Sequence, residues 1–247
     1  MKNNNAEYKK VMVQYLTEAA ETIAGYNNHA KGRSKIMNKE LVADLAKCGE
    51  RYMDSPIRLM VIGRAAGRIS EEPEKWLNDT DGPAYYVDLA RQDHLEWLRE
   101  AKGKGSKRIC KRPFYKLVGD VMCELMPEEA QKEDGMGWTH YIARTNFYDI
   151  TYFNSATNPN KALIQAQHPI MLRMMECDLS YFKPTHILVI TGGDWPEAKK
   201  FQDFMKMIDV TKEKNCKVAV TGRPEFKSCE EMQEMKNNIW RQFQINQ

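Results

Sequence analysis

No run of about 18 consecutive apolar residues occurs anywhere in the chain, and the opening segment MKNNNAEYKK has no apolar centre of the kind a secretory leader carries. A helical membrane span needs roughly 20 such residues, so the sequence predicts a soluble, cytoplasmic protein with no membrane partner. Clustered cysteine is also missing. Cys48, Cys110, Cys123, Cys177, Cys216 and Cys229 stand singly, with no Cys-x-x-Cys pair and no His at ligand spacing. That pattern argues against a disulfide framework, a zinc site or an iron–sulfur cluster and predicts reduced core thiols, with no metal and no cofactor. The turn from Gly63 to Gly67 lacks the Lys-Ser/Thr ending of a phosphate-binding P-loop and the third glycine of a dinucleotide fingerprint. No Ser or Cys nucleophile motif lies near His140 or His186, so neither histidine receives a catalytic role. An excess of charge is lacking too: 37 Lys and Arg face 34 Asp and Glu, a net charge of +3. Such a balance does not diagnose a nucleic-acid partner, and only local clustering can.

What is present is an alternation of helical and extended patterns. Tyr8, Met12, Tyr15, Ala19 and Ile23 recur at helical spacing. Asn38 is placed to cap a second helix whose Leu41, Val42, Leu45 and Tyr52 share a face, and residues 1–55 are thus read as a helical segment packed on a single domain of residues 56–247. Within that domain short apolar strands are expected at Ile57–Gly63, Thr139–Thr145, His186–Thr191 and Lys217–Thr221. Helices are expected over Tyr85–Leu98, from Pro113 to the residue before Pro127, and over Asn160–Phe182 with a break at Pro169. Two more are expected beyond these, one carrying Phe201, Met205 and Ile208 and one opened by the Ser228/Glu231 capping-box spacing. Alternation of this kind predicts an α/β fold, a three-layer α/β/α sandwich around a mainly parallel four-stranded sheet. Ligands of such sheets lie beyond the carboxyl ends of the strands.

Four loops should therefore meet at one cleft. The first holds Gly63, Arg64, Ala65, Gly67 and Arg68, the second Asn146, Tyr148 and Asp149, the third Thr191, Gly192 and Trp195, and the fourth Arg223. Glycine lets backbone N–H groups approach a ligand, and arginine supplies a permanent forked cation, so the combination suits a phosphate or nucleotide. The Asn146 amide offers donor and acceptor to a base edge, and Tyr148 and Trp195 offer rings for stacking. Between Ala101 and Arg112 lies AKGKGSKRICKR, with six cations and no acid. There Lys104, Lys107, Arg108, Lys111 and Arg112 are candidates for tracking a nucleic-acid backbone.

These residues resemble the motifs of the uracil-DNA glycosylase superfamily over about Ile57 to Ser228. VIGRAAG resembles its first motif, YIARTNFYDI places Asn146 where the base-reading Asn lies, and the helix, Lys-Pro, strand, Gly passage from Leu179 to Gly192 is similar to its third element. VAVTGRPEFKS occupies the place of its His-Pro-Ser motif. The resemblance, nearest to a bacterial and phage branch, implies a glycosylase-like fold, DNA as partner and hydrolysis of the N-glycosidic bond of a damaged base. It assigns catalysis to Asn146, Arg223 and Asp149. Two departures alter the chemistry implied: Arg64 and Ala65 stand where the first motif carries a carboxylate or Asn, and Arg223 stands where the last motif carries His. Glu71, Glu72, Asp79 and Asp149 are the acids near enough in sequence to substitute. A non-catalytic nucleotide or nucleic-acid binding module on the same cleft is the alternative.

Overall fold

The computed structural model describes residues 2–29, 40–66, 69, 72–99, 112–154, 159, 161–190, 198–211, 215–225 and 227–245. Helix α1 (Lys2–His29) leads into two very short strands, β1 (Leu41–Ala43) and β2 (Lys47–Cys48), and then β3 (Leu59–Ala65). Helix α2 (Gly82–Gln92) and α3 (Pro113–Leu125) come next, then the single-turn helix α4 (Pro127–Ala130) and the turn α5 (Lys132–Gly135), in which Glu133 and Asp134 take left-handed backbone angles. Strand β4 (Ile142–Tyr148) runs almost directly into β5 (Ile150–Tyr152). The rest is α6 (Lys161–Phe182), β6 (His186–Ile190), α7 (Ala198–Thr211), β7 (Lys217–Thr221) and α8 (Cys229–Ile245).

The expectation of one four-stranded sheet is corrected. The fold is a mixed α/β arrangement with two separate sheets, one of five strands in the order β2-β4-β3-β6-β7 and one of two strands, β1-β5. In the larger sheet β4, β3, β6 and β7 pair in parallel, while β2 adds an antiparallel edge on β4 through Lys47↔Arg144 and Cys48↔Ala143. The second sheet pairs Leu41 with Tyr152 and Ala43 with Ile150, antiparallel. The helix expected after Asn38 is likewise replaced, among the described residues, by β1 and β2. Leu41, Val42, Leu45 and Tyr52 are buried as the helical spacing required, but Leu41, Val42 and Ala43 are buried in succession, which a one-sided helix does not do. A strand sandwiched between β5 and the body of the protein does.

Two smaller corrections concern helices. Pro169 does not break α6, which continues through it. One lost N–H bond is outweighed by burial on both sides of the proline, by Leu163, Ile164 and Ala166 before it and Ile170, Met171, Met174 and Met175 after it. The helix expected over Tyr85–Leu98 ends at Gln92 and is followed by a separate turn at Glu96–Leu98. Leu95 there takes a positive φ of 63°, a backbone state no α-helix contains.

Alternation along the strands sorts the core into two layers. Met60, Ile62, Ala143 and Phe147 face a cluster built with α1, α6 and α7 residues such as Met12, Leu16, Met171, Phe182 and Phe204. Leu59, Val61, Ile142 and Leu188 face the other, with Val118, Met122, Ile239 and Phe243 of α3 and α8. Lateral register is straight, since Gly63 pairs with Asn146 on one side and Ile190 on the other, and Ile190 pairs with Thr221. The carboxyl ends of the four parallel strands therefore share one edge of the molecule.

Candidate functional site

At that edge the most populated corner is where β4 meets β3 and β2. Asn146, on β4, is 4% exposed, and its neighbour in register, Gly63, has no side chain to occupy the space above the strand. A Cβ built on Gly63 would fall 2.7 Å from Asn146 Oδ1. The glycine that reads in sequence as a turn residue is thus a strand residue, required because the asparagine amide lies across it.

The other side of the amide meets a carboxylate. Asn146 Nδ2 donates to Asp44 Oδ2 at 3.3 Å. Asp44 comes from the segment joining β1 to β2, which its backbone N–H ties to the carbonyl of Asp149 at 2.9 Å. The same carboxylate receives Arg144 Nη2 at 2.8 Å and Lys47 Nζ at 3.3 Å, and Lys47 also reaches Asp93 at 2.9 Å. Arg144 lies with its guanidinium 5.8 Å from the centre of the Trp97 ring, and Trp97 meets Tyr115 edge to face at 5.9 Å. Two cations therefore balance two carboxylates in a site whose Asp44 and Arg144 side chains are each only 12% exposed. Burial works to raise the pKa of Asp44, but the Arg144 and Lys47 charges overcome it and hold the carboxyl well below the usual carboxylate range.

Asp149 behaves in the opposite way. It is 2% exposed, and its Oδ1 accepts the backbone N–H of Asn146 at 3.3 Å. Burial, then the nearby Asp178 and Asp44 carboxylates, push its pKa well above the usual range. It keeps its proton at pH values where a solvated aspartate has lost one. Within one corner, then, stand an amide held by a carboxylate, a buried carboxyl whose pKa is raised and a charge-balanced Asp–Arg–Lys group.

The remaining sequence candidates are distributed around this corner. Arg64 is half-buried on β3, and because side chains alternate along a strand it projects from the sheet face opposite to Gly63 and Asn146. Ala65 is half-buried and pairs with Tyr148. Tyr148 is fully buried, its hydroxyl 3.4 Å from His168 Nδ1, so in this structure its ring is packed into the protein. Arg223 is exposed after β7, on the same edge but three strand spacings, roughly 14 Å, from β4. Arg112 is exposed, just before α3. Glu72 and Asp79 are exposed, and Asp79 accepts the backbone N–H of Trp76. Gly67, Arg68, Glu71, Lys104, Lys107, Arg108, Lys111, Thr191, Gly192 and Trp195 lie outside the described residues.

Three members of the corner were not among the sequence candidates: Asp44, Lys47 and Arg144. Arg144 carried a signal, because a cation inside Tyr-Ile-Ala-Arg-Thr-Asn, a segment otherwise reading as a buried strand, demands a buried partner. Asp44 and Lys47 carried none, since they lie about a hundred residues away in a stretch whose pattern suited a helix. Among the described residues no group of three or more His, Cys, Asp or Glu could hold a metal ion, and no helix is long and apolar enough to cross a membrane. A scan against protein-family models gave no match to the chain, and a search of curated proteins gave none either.

Proposed function

We propose that the chain recognises a base lifted out of a DNA strand at the β3–β4 corner and hydrolyses its N-glycosidic bond. The observation that carries this reading is the Asn146 amide, held at the carboxyl end of a parallel strand between a glycine and a carboxylate, with the buried Asp149 carboxyl, its pKa raised by burial, on the adjacent turn. An amide pairs with the donor and acceptor of a base edge. In the reaction proposed, water adds at the sugar carbon, the bond from that carbon to the base nitrogen breaks, and the electron pair leaves with the base. Asp149 donates its proton to the departing base and recovers one from the attacking water, so that base and sugar hydroxyl are the products. Arg223, exposed on the same edge, and the cations from Lys104 to Arg112 suit contacts to backbone phosphates. The likeness of the chain's motifs to those of uracil-DNA glycosylases is in keeping with this chemistry.

One observation favours a second reading, a non-catalytic module that binds a base or nucleotide. Asp44, the carboxylate of the corner held ionised, is already engaged by Arg144, Lys47 and Asn146, which leaves it poorly placed to activate water. Oligonucleotides containing uracil, hypoxanthine or xanthine separate the two. Hydrolysis predicts alkali-labile abasic product, reduced by about two orders of magnitude in Asn146→Ala and in Asp149→Asn. Binding without product, weakening with salt as phosphate contacts require, supports the module. Neither product nor binding refutes both.

A further inference from the structure

We propose that Asp44 is a positioning residue that fixes which way round the Asn146 amide faces, and thereby which order of donor and acceptor a base must present. The inference rests on the base-recognition reading above, and deepens it from a base to a class of base edge.

An ionised carboxylate accepts hydrogen bonds and donates none. The group of Asn146 facing Asp44 must then be the NH2, since the reversed amide would set Oδ1 against a negative oxygen. The clamp is itself clamped. Asp44 Oδ2, which takes the amide, also takes Arg144 at 2.8 Å; its Oδ1 takes Lys47, and Lys47 is anchored on Asp93. On the far side Oδ1 of the amide rests over Gly63, where there is no Cβ to push it round. What remains for a ligand is one N–H and one carbonyl oxygen in a fixed order. A base with a carbonyl beside a ring N–H and a base with an amino group beside a bare ring nitrogen present opposite orders. In a given pose one of them pairs, and the other sets donor against donor and acceptor against acceptor.

The test compares wild type with Asp44→Asn and with Asp44→Asn/Arg144→Met. The double variant removes the charge pair together, so that Arg144 is not left buried without its partner and folding is preserved. Two measurements are made on the full chain. Heteronuclear NMR follows hydrogen exchange of the Asn146 side-chain NH2, assigned by its disappearance in Asn146→Ala. Binding is measured to oligonucleotides carrying one unpaired uracil or one unpaired cytosine. A neutral amide at position 44 can accept from the Asn146 amide or donate to it, so both variants should lose amide protection by roughly tenfold or more, and the affinity ratio between the two oligonucleotides should collapse toward unity by a similar factor. Unchanged protection and an unchanged ratio overturn the positioning role, as does a ratio of unity in the wild type. If the wild type binds neither oligonucleotide the base-recognition reading is what fails, and amide exchange alone then decides whether Asp44 holds Asn146.

Discussion

At the scale of single residues, Gly63 separates the site from the fold. The Cβ of an alanine there would stand 2.7 Å from Asn146 Oδ1, with the next atoms at 3.8 Å. What must give way is the tip of one side chain, so Gly63→Ala should remain folded, at a cost of about 1.5–3 kcal/mol, the order of a hydrogen bond to a charged group. Displacing the amide should nevertheless reduce oligonucleotide binding by about a hundredfold. Thermal melting and binding measured on the same sample check this, and unchanged binding would show that Asn146 is not the reader. Asn146 and Asp149 are legible in the sequence because polar residues that end an apolar strand have few structural reasons to be there. Asp44 is not legible. Its role depends on which strand the chain folds against β4, and that is a contact between positions 102 residues apart in sequence.

Elements are held by side chains that imitate backbone. Gln242 of α8 accepts the N–H of Val220 at 2.9 Å and donates to its carbonyl at 3.0 Å, completing the free edge of β7 as a further strand would. Gln167 of α6 does the same for Ile150 of β5, at 3.2 and 3.0 Å. Gln242→Leu should cost about 1–3 kcal/mol, because both backbone groups of Val220 lose a partner that a leucine cannot replace. Urea denaturation is the measurement, with a lower midpoint at unchanged slope. The capping box of α8 is legible in sequence and forms as read: Glu231 N–H donates to Ser228 Oγ at 3.2 Å, and Ser228 N–H to Glu231 Oε2 at 2.7 Å. Its signal is local, four residues long, and no distant contact is needed to make it. The edge glutamines have no such signal, since a glutamine on an amphipathic helix reads as part of the solvent face.

For the molecule as a whole, the junction of α1, α6 and β4 ties stability to pH. Tyr8 of α1 donates its hydroxyl to Asp178 Oδ1 at 2.6 Å, and Thr145 of β4 donates to Oδ2 at 3.4 Å. Burial pushes Asp178 up to about 7, against the two hydroxyls and Arg91, which work to lower it. The folded state thus holds a proton that the unfolded chain releases near 3.8. Stability from this proton is fully present below the unfolded value and is lost as pH rises toward 7. His186 acts in the reverse sense. Burial, then Lys217, push it down to about 4 from an ordinary 6.5, so its contribution is present above 6.5 and is lost as pH falls through 4. Asp178→Asn removes only the first of these. Its unfolding free energy relative to wild type should rise between about pH 4 and 7 by a few kcal/mol and level off above. A difference independent of pH would mean that Asp178 ionises in the fold as readily as in water.

Hydrophobic period, capping spacing and proline placement are encoded within a turn or a strand's length, and they sufficed to locate α1, α3, α8 and the strands β3, β6 and β7 from sequence, whereas the strand expected over Thr139–Thr145 lies three residues later, at Ile142–Tyr148, because Gly137–His140 form a helical turn instead. They could not supply the antiparallel edge at Lys47–Cys48, the second sheet, or the passage of α6 through Pro169, because each depends on what a short segment is packed against rather than on its own pattern. The same division holds for the corner around Asn146. Local sequence put a polar pair at the end of β4, and only the folding of residues 41–48 against that strand brought up the carboxylate and lysine that decide how Asn146 is held, since a buried charge is stable only where its partners converge on it.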